Sequence, residues 1–209
     1  LRRWLVRRAF FAPTTVPSAE PSHLAWNLVP YYLSVGVNGI SGATAITVGL
    51  LHACAILGDA TVKCWGANES GQTDVPADLG PVTAVDAGAH HTCAVTASGT
   101  VRCWGLNDSG QTSVPAGLAA AAAVSAGGAT TCALLASGAV TCWGDASEGQ
   151  TSVPDFSTSV SAISVGGLFA CALLANGTVT CWGNNDDGQT SVPANLANVT
   201  QVSAGDSHV

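Results

Sequence analysis

The sequence predicts an all-β fold assembled from one short unit that recurs along the chain. Cysteines, tryptophans and glycines return at a fixed spacing of 39 residues, and Gly- and Pro-containing turns divide each unit into short strand-like stretches. Four complete units span residues 44–82, 83–121, 122–160 and 161–199, and residues 200–209 begin another. Because no insertion breaks the spacing, a chance pattern is excluded.

Each unit carries two cysteines that are ten residues apart. The first cysteines are Cys54, Cys93, Cys132 and Cys171, and the second are Cys64, Cys103, Cys142 and Cys181. Every second cysteine is followed by Trp-Gly, then by Gly-Gln-Thr and finally by a Val-Pro pair. These markers define the ends and the turns of the unit.

The second unit illustrates the four strands predicted for each repeat. Residues 83–88, 91–96, 100–105 and 111–114 are strand-like, and proline ends the last because it cannot donate to a ladder. A tight turn with Gly99 in the left-handed conformation pairs Val95 with Val101. The same register places Cys93 opposite Cys103.

Strand alternation then places the cysteines and valines on one face of each sheet and the tryptophan on the other. Strands that are apolar on both faces belong between two other sheets. Small four-stranded sheets stacked radially form a β-propeller, which is therefore the predicted architecture.

The recurrent pattern AGxxHTCALLASGTVxCWGxNxxGQTxVP resembles the regulator-of-chromosome-condensation repeat over residues 44–209. Its short unit is similar to that of propeller-type β-lactamase inhibitor proteins. The resemblance implies a seven-bladed propeller that acts through protein–protein contacts. A nuclear member of the family is an exchange factor for a small GTPase and binds chromatin. The cysteine pairs, the shorter repeat and the lack of an inserted wedge separate this sequence from it, so only the fold is carried over.

The repeat pattern extends in both directions. Residues 1–43 form a basic N-terminal arm, and we interpret residues 5–43 within it as a degenerate blade without cysteines, because Trp26 lies 39 residues before Trp65. The alternative is a coincidence within an irregular arm. Seven units would need about 270 residues, so the sequence predicts part of a larger propeller.

Charge and hydropathy exclude several classes of function. The net charge is −7, and four of the six basic residues lie in the first eight positions, so an acidic body should repel nucleic acid. No apolar run approaches the roughly 18–20 residues of a transmembrane helix. The N-terminus lacks the apolar stretch of a complete secretory signal, which leaves an organelle-targeting segment or a solvated or partner-bound arm as its interpretations.

The cysteine pairs predict four disulfides, each within one repeat. Opposed residues on a hairpin lie within disulfide reach, whereas zinc sites usually use closer pairs such as C-x2-C. Reduced structural cysteines are the alternative. Disulfides persist in oxidising compartments, so we expect an extracellular or cell-surface protein.

Four sequons agree with that location. The predicted acceptors of N-linked glycans, all in loops, are Asn68, Asn107, Asn176 and Asn198. Strand directions place Asn68 and Asn107 on one face of the propeller, and Asn176 and Asn198 on the other.

One of these faces is predicted to be acidic and is a candidate binding surface for a basic partner or Ca²⁺. Its residues are Glu69, Asp108, Asp145, Glu148, Asp186 and Asp187. The alternative is that these side chains only favour turns. No loop matches an EF-hand pattern.

No catalytic residue, metal site or cofactor is predicted. His52, His91 and His208 share one repeat position, but Thr130 and Phe169 replace histidine in the third and fourth units, so packing explains them better than catalysis or metal binding. The tryptophans are expected in the core. No nucleophile elbow, phosphate loop or paired carboxylates occur, and an enzyme is the least favoured class.

The leading interpretation is a non-enzymatic extracellular glycoprotein module for protein–protein interaction, adhesion or structural assembly, with other chains or copies of itself as partners. The alternative is an inhibitor or ligand-binding propeller that acts through the acidic face. A third is an intracellular exchange-factor-like propeller, which free thiols would favour.

Overall fold

A computed structural model describes residues 40–209. Within this range the chain is all-β: four three-stranded antiparallel sheets follow one another, one per repeat, with strands adjacent in sequence paired in space. The strands of the four blades are β1 Ala43–Val48, β2 His52–Leu57 and β3 Val62–Gly66; β4 Val82–Ala87, β5 His91–Thr96 and β6 Val101–Gly105; β7 Ala121–Ala126, β8 Thr130–Leu135 and β9 Val140–Gly144; and β10 Val160–Val165, β11 Phe169–Leu174 and β12 Val179–Gly183.

The hairpin between the second and third strands of each blade has the predicted register. In the second blade Cys93 pairs with Cys103 and Val95 pairs with Val101. The turn that joins them contains Gly99 at φ +82°, the left-handed conformation that glycine adopts without a steric penalty. The turn therefore determines which residues face each other across the hairpin.

The structure differs from the prediction at the fourth strand. Residues 111–114, and the equivalent residues of the other repeats, lie in turns and irregular loops rather than in a ladder. The carbonyl of Gln111 accepts hydrogen bonds from Thr131 Oγ1 at 2.9 Å and Trp143 Nε1 at 3.0 Å, both in the next blade. Side chains of the neighbouring blade thus take the backbone acceptor that a fourth strand would have used.

Successive blades stack with the cysteine face of one against the tryptophan face of the next. Trp104 of the second blade is buried against Ile56 and Leu79 of the first, with Cys64 at the edge of the same cluster. Trp143 packs in the same way against Cys93 of the second blade. This arrangement explains why the strands are apolar on both faces.

A line of polar side chains connects the first strands of the four blades. Thr47 Oγ1 donates to Asp86 Oδ1 at 2.7 Å and accepts from the amide of Ala87 at 3.1 Å. Asp86 Oδ2 accepts from Ser125 Oγ at 3.1 Å, and from the amide of Ala126 at 2.8 Å. Each residue at this position thus satisfies a polar backbone group of the next blade, so the line holds neighbouring blades in register.

The glycine that follows the first strand of each blade allows neighbouring blades to approach closely beside this line. A Cβ on Gly127 would lie 2.0 Å from the carbonyl oxygen of Gly166, which is impossible without a backbone shift. Gly49, Gly88 and Gly166 are equally restricted by backbone oxygens of the following blade. The recurring glycine is therefore a requirement of close blade packing.

Residues 200–209 pack as the start of another unit, although they form no strand. Val202 and Ala204 lie against the Cys171–Cys181 face of the fourth blade, and the amide of Ala204 donates to Ser164 Oγ at 2.9 Å. The degenerate N-terminal blade predicted in residues 1–43 lies almost entirely outside the described residues.

Candidate interaction faces

The loops of the blades are sorted onto two opposite faces. The turn face contains the hairpin turns and the connections between repeats. The two lie together: the amide of Ala97, in a hairpin turn, donates to the carbonyl of Pro81, in a connection, at 2.9 Å. The loop face contains the turns after the first strands and the loops after each Trp-Gly pair. Here the amide of Leu106, in such a loop, donates to the carbonyl of His90, in such a turn, at 2.9 Å. Both groupings agree with the strand directions inferred from the sequence.

All six predicted acidic residues lie on the loop face. Five of them are exposed, namely Glu69, Asp108, Glu148, Asp186 and Asp187. Asp145 is half-buried and serves its own loop instead, since its carboxylate accepts from Ser147 and from Gln150 Nε2. The exposed carboxylates give this face a negative charge that reaches solution.

Loops of neighbouring blades touch on this face. Asn184 Nδ2 donates to Glu148 Oε2 at 3.2 Å and to Asp186 Oδ2 at 2.9 Å, which links the third and fourth blades. No three His, Cys, Asp or Glu side chains within residues 40–209 lie close enough to share a metal ion.

An asparagine closes most of the loops on the loop face. Asn107 Oδ1 accepts from the amide of Thr112 at 2.9 Å, and its Nδ2 donates to Ser113 Oγ at 3.0 Å. Asn68 and Asn185 make the equivalent bonds in their own repeats. Since Asn185 is not part of a sequon, this asparagine has a structural role that is independent of glycosylation.

The four sequon asparagines lie on both faces. Asn68 and Asn107 are in the loops just described, and both are exposed. Asn176 lies in the last hairpin turn, where its Oδ1 accepts from the amide and the hydroxyl of Thr178. Asn198, at φ +57°, precedes Val199, whose amide donates to the carbonyl of Gly177 in that turn at 3.0 Å, so both asparagines belong to the turn face.

All four cysteine pairs are disulfide-bonded within their own repeats. They are Cys54–Cys64, Cys93–Cys103, Cys132–Cys142 and Cys171–Cys181, with Cα atoms 4.0–4.1 Å apart. The first cysteine of each pair is completely buried between blades. Each disulfide therefore belongs to a blade–blade interface as well as to its hairpin.

Histidine and tryptophan side chains also lie at the blade–blade interfaces. Trp104 Nε1 donates to the carbonyl of Gln72 at 3.0 Å, and His52 Nε2 lies 2.9 Å from Thr92 Oγ1. His52 and His91 are completely buried, and burial lowers the pKa of each to about 4. These histidines therefore pack between neighbouring blades.

Sequence reasoning missed the buried glutamines. Gln72, Gln111 and Gln150 are almost fully buried, and the side-chain oxygen of Gln72 accepts from the amide of Ser70 at 2.9 Å. Their backbone carbonyls accept from the tryptophan of the next blade. The unvarying Gly-Gln-Thr triplet was the available signal, because an exposed strand would not require glutamine in every repeat.

Comparison with known proteins agrees with this architecture. The chain is similar to the ectodomain of the receptor kinase CR4 from Physcomitrella patens, with 28% identity and a TM-score of 0.67, covering 78% of this chain and 48% of that one. It is also similar to the ectodomain of the receptor kinase ACR4 from Arabidopsis thaliana (22% identity, TM-score 0.64, 81% and 61% covered). Prp20p from Saccharomyces cerevisiae, described with its binding to Gsp1p and histones, gives 16% identity and a TM-score of 0.67, with 81% and 56% covered.

The chain thus spans only about half to three fifths of the length of these structures. No curated protein matched the sequence. The regulator of chromosome condensation (RCC1) repeat matches residues 43–72, 82–111, 121–150 and 160–189, one span in each blade. With this repeat in all four blades and the stacked sheets that it forms, the chain belongs to the RCC1 repeat family.

Proposed function

We propose that this chain is a non-enzymatic extracellular module for protein–protein interaction. The observation that carries the proposal is the disulfide in every blade, completely buried at its first cysteine. A protein that repeats this bond in each structural unit is suited to an oxidising compartment, where such bonds persist. The similarity to the ectodomain of a plant receptor kinase, at 28% identity, also supports an extracellular location.

The loops on the two faces are where we expect the partner to bind. The framework residues of the blades hardly change between repeats, whereas the loops after Trp-Gly read ANESG, LNDSG, DASEG and NNDDG. Exposed residues that vary on a constant framework are suited to recognition, because they can change without disturbing the core. Other protein chains, including further copies of this chain, are the proposed partners in an adhesive or structural assembly.

The oxidation state of the native protein tests the compartment. Thiols would be blocked before unfolding, and peptides would then be mapped without reduction and again after removal of N-linked glycans. We expect no blocked cysteine, only within-repeat disulfides, and glycans on one or more of the four sequons. Several alkylated cysteines would contradict the proposal and favour the intracellular, exchange-factor-like alternative.

A ligand-binding or inhibitory module that uses the loop face is a second candidate, favoured by the exposed carboxylates gathered there. An oligolysine peptide is a suitable probe, and its binding should weaken steeply with added salt. The triple variant Glu69→Gln, Asp108→Asn, Asp187→Asn should reduce binding, whereas Asp155→Asn, an exposed residue in a connection on the turn face, should not. Equal effects of both variants would exclude a specific role for the loop face.

A further inference from the structure

Two histidines occupy the same position at the first two blade–blade interfaces. His52 and His91 each begin the second strand of their blade, and both side chains are 0% exposed. The Nε2 atom of each lies 2.9 Å from a threonine hydroxyl of the next blade, Thr92 for His52 and Thr131 for His91. The imidazole rings therefore belong to the contact between blades rather than to one blade alone.

The hydrogen bonds of these threonines determine which imidazole nitrogen carries the proton. Thr92 Oγ1 donates its only proton to the carbonyl of Gln72 at 2.8 Å, so it must accept from His52. Thr131 does the same toward Gln111 at 2.9 Å and must accept from His91. Both histidines therefore carry a proton on Nε2, and Nδ1 is the nitrogen that is left bare when the ring is neutral.

Nδ1 has no hydrogen-bond partner in either histidine within residues 40–209. The ring instead lies against a glycine of its own blade, Gly49 for His52 and Gly88 for His91. A proton on Nδ1 would add a buried charge and an N–H donor at a nitrogen that has no hydrogen-bond partner. Such a group is costly, and burial accordingly dominates the lowering of both pKa values to about 4.

Some of the groups around the two rings raise the histidine pKa values and others lower them. His90 lowers the pKa of both histidines, and His52 lowers that of His91. Asp86 raises the pKa of His91, and the backbone of His91 raises that of His52 by accepting a hydrogen bond from its protonated ring. Desolvation remains the largest cause at both sites, so both rings stay neutral when the blades are packed.

The other two repeats lack this arrangement. Thr130 replaces histidine in the third blade, and Phe169 replaces it in the fourth. The Phe169 ring is completely buried and lies against Gly166 in the way that the histidine rings lie against Gly49 and Gly88. The fold thus accepts an aromatic ring without a titratable nitrogen at this position.

We propose that the first two blade–blade interfaces are an acid-sensitive joint, in which proton uptake by His52 and His91 weakens the packing of the first three blades while the fourth stays packed. The disulfides keep each hairpin intact, so the change affects contacts between blades. Because the folded-state pKa lies below the ordinary value of 6.5, this stability is fully present above about pH 6.5 and decreases as the pH falls toward about 4.

Hydrogen exchange of the full chain at about pH 7 and about pH 4.5, corrected for the chemical exchange rate, tests the joint. We expect protection of β2, β3, β5 and β6 to fall at least about tenfold at the lower pH, with a smaller change in β11 and β12. The double variant His52→Phe, His91→Phe should remove most of this difference. His208→Gln, at an exposed histidine outside the first two interfaces, is the matched control and should retain it.

Equal loss of protection in all four blades, or an unchanged acid response in the double variant, would overturn the proposal. Histidine side-chain NMR of the unmodified chain provides a test that does not depend on how the variants fold. It should show both rings as the Nε2–H tautomer at neutral pH, with no titration above about pH 5. Ordinary titration near 6.5 of either ring would equally exclude the joint.

Discussion

Trp65 and Trp104 occupy the same position in neighbouring blades, but their surroundings differ. Trp104 is 8% exposed because the first blade covers it, whereas Trp65 is only half-buried within the part of the chain that the structure describes. The first strands show the same contrast: Ile46 of β1 is 44% exposed, and its counterpart Val124 of β7 is 8% exposed. Contacts inside one blade therefore bury only part of its apolar surface, and the neighbouring blade supplies the rest.

This contrast separates two sources of stability. The disulfide and the hairpin turn act within each blade, so they are complete even in the first one. Tryptophan burial, the glutamine carbonyl and the polar line of the first strands act between blades, so they depend on a neighbour. Stability in such arrays is approximately a sum of repeat and interface contributions, which makes the two sources separable by experiment.

The largest expected effect is at the interface. Trp104→Ala should lower the free energy of unfolding by about 3–5 kcal/mol, because it leaves a cavity and removes the donor to the Gln72 carbonyl. Trp65→Ala should cost clearly less, and urea unfolding of the two variants measures the difference. Equal losses would show that residues outside 40–209 cover Trp65 as the first blade covers Trp104.

Removing a disulfide, which acts within one blade, should have an intermediate effect on the free energy of unfolding. Replacing Cys93 and Cys103 together by alanine should lower the free energy of unfolding by about 2–3 kcal/mol. The loss is smaller where the hairpin keeps some structure in the unfolded state. The same change at Cys54 and Cys64 should have a similar effect, since each disulfide closes an equal loop in its own hairpin. A much smaller loss in the first blade would mean that the disulfide depends on its neighbour.

The smallest expected effect concerns the hairpin turn of the first blade. Ala60 has φ +64° where the later blades have glycine, and left-handed alanine costs about 1–2 kcal/mol. Part of that gain is offset by the greater freedom of glycine in the unfolded chain, so Ala60→Gly should stabilise the protein by about 0.5–1 kcal/mol in thermal unfolding. Gly99→Ala, whose Cβ would lie 2.8 Å from that of Ala120, is the control and should destabilise. A destabilising Ala60→Gly would show that the turn is not strained.

Local patterns were sufficient to predict much of the blade. The turn at Gly99 determines the hairpin register, and the register determines that Cys93 faces Cys103. The direction of each strand then determines which face a loop occupies, so the acidic residues could be assigned to one face. These features depend on residues close together in the sequence, where steric rules and alternation leave few choices.

What the sequence by itself determined is therefore the repeat, the hairpins and the disulfide partners. The tertiary structure alone decided where the Gln111 carbonyl bonds, and consequently that residues 111–114 are not a strand. It also decided that Thr47, Asp86, Ser125 and Ser164 join the blades in one line, and that His52 and His91 keep a bare Nδ1. Each of these features joins atoms about 20 to 40 residues apart, and such contacts exist only after the blades have stacked.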